Sequence, residues 1–129
     1  MVQFDDLLGT PFKVGGRDRN GFDCYGYILF LEKRLGKEMP DLNKEYTERT
    51  YHKEIEENAN RFIKLCELQK VENPEPENIL LFYDEKGRAC HVGLYLKNGD
   101  FTHCDYYGVR VNNLDTYFRK HWEAYKWQQ

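Results

Sequence analysis

The period of the hydrophobic pattern changes once along this chain, and that change limits the folds open to it. In residues 43 to 70, Tyr51, Ile55, Ala59, Phe62, Ile63 and Cys66 recur at spacings of three and four against a Glu- and Lys-rich background. That spacing predicts an amphipathic helix with a solvated charged face. Past the Pro-containing connector "ENPEPEN" (72 to 78) the period becomes two. "ILLFYD" (79 to 84), "HVGLYL" (91 to 96), "FTHCDY" (101 to 106) and "GVRVNN" (108 to 113) read as strands, with "EKGRA" and "KNGD" as turns. Helices followed by a run of antiparallel strands define an α+β fold. The remaining stretch, "LDTYFRKHWEAYKW", reads as a helix or an irregular aromatic tail packed on that sheet, its Trp122, Tyr125 and Trp127 completing the core.

Ahead of these elements lies an apolar helix that starts with a thiol. "TPFKVGGRDRNG" is a loop by its Gly and Pro content. A helix follows from Cys24 to Leu35, with Asp23 as N-cap and Gly36 as the stop. Tyr25, Tyr27, Ile28, Leu29, Phe30 and Leu31 leave its first two turns without a polar face, so it is covered on most sides.

At 129 residues the chain suits one domain, 1–129, with 43–70 as a helical insert. A net charge of −3, spread over 32% charged residues of both signs, leaves no basic stripe for nucleic acid. No apolar run approaches the roughly 20 residues of a membrane-spanning helix. "MVQFDDLLGTPFK" lacks the cationic and apolar regions of a signal peptide, which predicts cytoplasmic synthesis. Cys24, Cys66, Cys90 and Cys104 are irregularly spaced, as reduced thiols are.

A cysteine at a helix start meets the positive end of the macrodipole and unpaired N–H groups, which favour thiolate and can hold an oxyanion. A buried cysteine is equally at home as a small core residue, and position alone leaves both readings of Cys24 open. Cys66, on the apolar stripe, reads as structural. A nucleophilic thiol needs a base and the base an orienting partner. His91 opens one strand, on a face with Gly93 and Tyr95, and His103 lies on the next. A two-residue turn at Asn98 and Gly99 would send the two histidines to opposite faces; a wider loop or a bulge would bring them together.

The stretches "LLGTPFKVGGRDRNGFDCYGYI" and "HVGLYLKNGDFTHC" resemble the NlpC-type cell-wall cysteine peptidases, a papain-like family. The family pattern runs G-x-P-Y, G-G, G-x-D-C-S-G, then H-V-G-I-Y-L and a second polar residue about twelve positions on, and 103 minus 91 is twelve. The resemblance implies Cys24 as nucleophile, His91 as general base and acid, His103 as the residue orienting His91, and Asp23 as a contact for a substrate amine. It also implies peptidoglycan stem peptides as substrate, typically cut at the γ-D-glutamyl bond to the diamino acid, without a cofactor or metal. Two positions depart from the pattern. Phe12 stands where the family has Tyr, removing a hydroxyl that serves the oxyanion or substrate, and Tyr25 stands where Ser follows the cysteine, so substrate contacts there must differ. "GGRDRNGFDCYGYILFLEKRLGKEMPDL" and "VNNLDTYFRKHW" are similar to stand-alone members among bacteriophage and prophage tail genes. That similarity implies phage tail proteins as partners and a virion tail or the cell wall as destination.

Two competing classes remain. A metal site would draw on Cys24, Cys90, His91, His103 and Cys104, but neighbours on a strand point apart and no C-x-x-C spacing exists. An inactive NlpC-like module, serving tail assembly or binding, would explain Phe12 and Tyr25 but has no need of Cys24, His91 and His103 together.

Overall fold

The computed structural model describes residues 1–41 and 51–128. After a 3-10 turn at Asp5–Leu7, the loop carries a two-stranded ribbon, β1 (Arg17–Asp18) and β2 (Gly21–Phe22). Helices α1 (Cys24–Arg34) and α2 (Tyr51–Leu65) follow, then strands β3 (Leu68–Val71), β4 (Ile79–Tyr83), β5 (Ala89–Tyr95), β6 (Asp100–Asp105), β7 (Gly108–Asn113) and β8 (His121–Trp127). Strands β3 to β8 form one antiparallel sheet in the order β3-β8-β4-β5-β6-β7.

Helix α1 is closed at both ends by its own sequence. The Asp23 side chain, in extended conformation, accepts from Gly26 N–H. Past the last turn Gly36, at φ 79°, lets Lys37 N–H reach the Glu32 carbonyl and its own N–H reach that of Lys33. These paired bonds satisfy carbonyls that would otherwise be orphaned. The helix packs on β5 and β6, and α2 packs on β5 beside it. Cys24, Tyr27, Ile28 and Leu31 meet Leu81, Val92, Leu94 and Cys104 from the sheet in the larger core, which α2 joins through Ile55, Ala59, Phe62 and Cys66.

The other face of the sheet has a smaller core of Leu80, Phe82, Phe101 and Ala124, covered by Leu114 and Tyr117 from the segment between β7 and β8. Alternation along β5 and β6 therefore decides which side chains face the helices and which face this second layer.

Three expectations are revised. The helical region does not run to 70: α2 ends at Leu65, Glu67 turns the chain at φ 53°, and residues 68–71 pair with β8. The start of the insert, 43–50, lies outside the described residues. The aromatic tail is neither helix nor irregular. Residues 121–127 form β8, bonded on both sides and seated between β3 and β4. Leu114, Tyr117, Phe118, His121, Trp122 and Tyr125 fall at helical spacings, but alternation from Trp122 onward and long-range pairing with β4 prevail. The loop before α1 is also more ordered than its composition suggests, since it contains the β1–β2 ribbon.

Candidate active site

The β5–β6 connection sets the geometry of the histidines. Leu94 pairs with Thr102 and Tyr95 with Phe101, and Leu96 N–H bonds the Asp100 carbonyl across a loop of Lys97, Asn98 and Gly99. Asn98 and Gly99 both take positive φ, 53° and 86°. The three-residue loop makes the pairing sum even, so His91 and His103 share one face of the sheet.

There the two rings meet. His91 Nε2 lies 2.8 Å from His103 Nδ1, and His103 Nε2 lies 2.7 Å from Asn112 Oδ1. The chain of bonds has one consistent proton arrangement when both histidines are neutral. The Asn112 amide oxygen only accepts, so His103 carries its proton on Nε2 and presents a bare Nδ1. His91 must then donate from Nε2, which leaves His91 Nδ1 with a lone pair. Burial pushes His103 down to about 4, against its bond to Asn112, so it stays neutral at neutral pH.

Aromatic rings enclose this pair. The Tyr117 ring lies 5.0 Å from that of His103 and 6.3 Å from that of His91, and Phe82 lies 5.5 Å from His91. His91 is 3% exposed and His103 is fully buried. Such walls exclude water and hold the imidazoles in one orientation.

Cys24 opens α1 and is wholly buried, in the same core cluster as Val92 and Cys104, the chain neighbours of His91 and His103. Its mount is built from the loop before it. Asp23 accepts from Gly26 N–H at 2.7 Å and Gly15 N–H at 2.9 Å and pairs with Arg17 at 3.0 Å; Arg17 also bonds Asp41. Burial pushes the Asp23 carboxyl up, and Arg17 with the two backbone donors opposes this. A Cβ at Gly26 would lie 2.0 Å from the Gly16 carbonyl, so only glycine lets the first turn approach that loop.

The other expected site residues are placed as follows. Asp23 has no solvent exposure and its contacts tie the helix start to the loop. Tyr25 turns into the core: its hydroxyl donates to the Pro40 carbonyl at 2.6 Å and its ring packs edge-on against Phe62 of α2. Phe12, half-buried, bridges to Phe22 and lies 4.7 Å from the Tyr106 ring. With His91, Cys104 and Tyr106 it lines a small crevice. The structure thus joins His91 to His103 and brings Phe12 to the His91 crevice, whereas Tyr25 lies under α2.

Cys66 and Cys104 are packing groups. Cys104 donates to the Phe22 carbonyl at 3.2 Å, and burial pushes it well above the usual thiol range; burial also pushes Cys66 up to about 11. None of the four cysteines is in a disulfide. Among the described residues no three His, Cys, Asp or Glu side chains are grouped to hold a metal ion.

Asn112, Tyr117 and Arg119 were not legible as site residues. Asn112 had a signal: a two-residue turn at Tyr106 and Tyr107 pairs His103 with Arg110, which puts Asn112 on the same face. Tyr117 and Arg119 had none, because they reach the site from an irregular segment.

The NlpC/P60 family model matches residues 9–127, and the chain belongs to that family. Among curated relatives, the probable peptidoglycan endopeptidase LytE of Bacillus subtilis is 28% identical over 115 residues, 88% of this chain and 29% of LytE. Murein DD-endopeptidase MepH of Escherichia coli is 31% identical over 129 residues, 95% of this chain. The chain spans 42% of the length of MepH, so it corresponds to part of each relative. The fold matches an NlpC/P60 protein from Bacillus cereus at a TM-score of 0.67 and 19% identity, covering 98% of this chain and 41% of that one. It also matches the NlpC/p60 domain of peptidoglycan hydrolase SagA at a TM-score of 0.59 and 21% identity, covering 92% of this chain and 89% of that one.

Proposed function

We propose that this chain is a cysteine endopeptidase that hydrolyses amide bonds in peptidoglycan stem peptides. The observation that carries the reading is the bonded series His91–His103–Asn112, which leaves a lone pair on His91 Nδ1. In this reading Cys24 gives its proton to His91 Nδ1, and its sulfur attacks the scissile carbonyl. The charge that develops on His91 is held by the unchanged bond from Nε2–H to His103 Nδ1. N–H groups of the first turn of α1 hold the oxyanion, helped by the macrodipole. His91 then protonates the leaving amine, and water, deprotonated by His91, releases the acyl group from sulfur. Phe12 contributes an apolar wall, and no hydroxyl, beside His91.

The bond we assign is the γ-D-glutamyl bond to the diamino acid. Its support is the motif resemblance of residues 8 to 104, and the names of LytE and MepH support the broader class of wall endopeptidase. Delivery by a phage tail is the setting we propose from the likeness of "GGRDRNGFDCYGYILFLEKRLGKEMPDL" to tail-associated members. The full burial of Cys24 favours one rival, an inactive binding module.

Digestion of purified peptidoglycan and free stem peptides by wild type, Cys24→Ala and His91→Ala, read by mass spectrometry, separates them. Fragments that form only with wild type establish the peptidase and their masses give the bond. Intact substrates with all three proteins, together with a Cys24 that resists alkylation at neutral pH, leave the binding module.

A further inference from the structure

Behind His91 the crevice opens toward a larger cavity, and one cation stands on the wall they share. The crevice is lined by His91, Phe12 and Tyr106 together with Cys90 and Arg119. Cys90 and Arg119 also line the neighbouring cavity of about 400 Å³, with Phe118, Lys120 and His121 on one side and Asp84 and Glu85 on the other. Arg119 is half-buried. Its guanidinium donates to the Tyr117 hydroxyl, stacks 4.5 Å from the Phe118 ring centre and neighbours the Cys90 thiol. Among the described residues no carboxylate forms an ion pair with it. Asp84, one of the two acids lining that cavity, is taken by Arg88 at 2.9 Å and by the N–H groups of its own turn.

A guanidinium held by a tyrosine and a phenylalanine, partly desolvated and not neutralised, is arranged to receive a planar anion, and two-pronged bonding to carboxylate is what arginine does best. Its position says which part of a substrate would carry that anion. In a peptidase of the kind proposed above, on which this inference rests, His91 gives a proton to the leaving amine. The amine-bearing residue therefore departs past His91, into the space that Arg119 lines.

We propose that Arg119 is the receptor for a free carboxylate on the residue that supplies the leaving amine, so that the chain prefers stem peptides ending in an unamidated diamino acid. Arg119 is a specificity residue here and takes no part in proton transfer.

The test is calorimetric binding to Cys24→Ala, which needs no turnover. The probes are γ-D-glutamyl-L-lysine with its C-terminal carboxylate free and the same peptide as the carboxamide. With Arg119 present the free acid binds roughly 10- to 100-fold more tightly, as expected for a charge-assisted bond. In Cys24→Ala/Arg119→Gln that ratio falls toward one, and in Cys24→Ala/Arg119→Lys part of it remains. Equal affinity for the two peptides with Arg119 present, no measurable binding of the free acid, or an undiminished ratio in Arg119→Gln, overturns the proposal. Cleavage by the otherwise wild-type chain is scored separately. Cleavage without carboxylate preference sinks only the receptor, and preference in binding without any cleavage sinks only the peptidase.

Discussion

His103 accepts from His91 and gives to Asn112, at 2.8 and 2.7 Å, and so fixes the tautomer of the His91 ring. Asn112→Leu removes the only acceptor in that series able to keep the proton on His103 Nε2. The His91 lone pair is then no longer enforced at Nδ1, and kcat falls at least about tenfold while the fold is kept. Asn112→Asp keeps the acceptor but adds a negative charge beside a buried imidazole. That raises the His103 pKa, and a protonated His103 would turn a donor toward His91 Nε2. The acid limb of the kcat/KM profile is expected to move to higher pH by about one unit or more. An unshifted limb in Asn112→Asp would show that Asn112 only packs.

Two buried groups give opposite pH dependences to stability. Burial pushes Glu32 up to about 7, against bonding from Trp127 Nε1 and the charge of Lys37, and Glu77 adds to the rise; its Oε1 has no hydrogen-bond partner among the described residues. Between the ordinary carboxylate value of 4.5 and about 7 the native state holds the extra proton, so stability falls as pH rises. His103 behaves in reverse. Between 6.5 and about 4 the unfolded chain takes up the proton, so stability falls as pH drops. Each slope is about 1.4 kcal/mol per pH unit, and they offset one another where the windows overlap. Glu32→Gln is therefore expected to unmask the histidine. Urea unfolding should show stability rising with pH between about 4.5 and 6.5 in the variant and staying nearly level in wild type.

Gly26→Ala tests the mount of Cys24. Its methyl would meet the Gly16 carbonyl and the Arg17 guanidinium, backbone and ion pair that cannot both retreat. A loss of about 2 kcal/mol or more is expected in chemical denaturation. Gly36→Ala, at the other helix end with open space around it and strain only from φ, should cost about 1 kcal/mol.

Tyr25→Phe separates packing from substrate contact. It removes one hydrogen bond to the Pro40 carbonyl and leaves the ring against Phe62, so stability should fall by about 1 kcal/mol with KM unchanged. A raised KM with unaltered stability would return Tyr25 to the substrate.

The legible parts of this molecule were those governed by local pattern. Asp23, Gly36 and the apolar run between them define α1 by capping chemistry, and alternation placed β4 to β7. Whether His91 faces His103 turned on a single loop residue, a quantity that periodicity does not contain. The helical continuation through 68–71 and the tail failed for one physical reason. Residues 68–71 are a strand because they find β8, and the tail because it finds β3 and β4, and pairing between distant segments leaves a weaker trace than a cap or a turn. Arg119 was hidden similarly, since an irregular segment carries no periodicity from which to infer a facing side chain.

The seat of β8 also governs how the chain emerges from the ribosome. Tyr83 and Glu123, bonded in the sheet, are forty residues apart. At roughly 5 to 20 residues per second, β4 waits several seconds for the strand that covers its second edge. Meanwhile β4 to β7 can form by successive hairpins, leaving the open edge of Ile79–Tyr83 as a template for other nascent chains. Synonymous codon changes that slow translation between these strands would lengthen that exposure and reduce soluble yield without altering one atom of the finished protein.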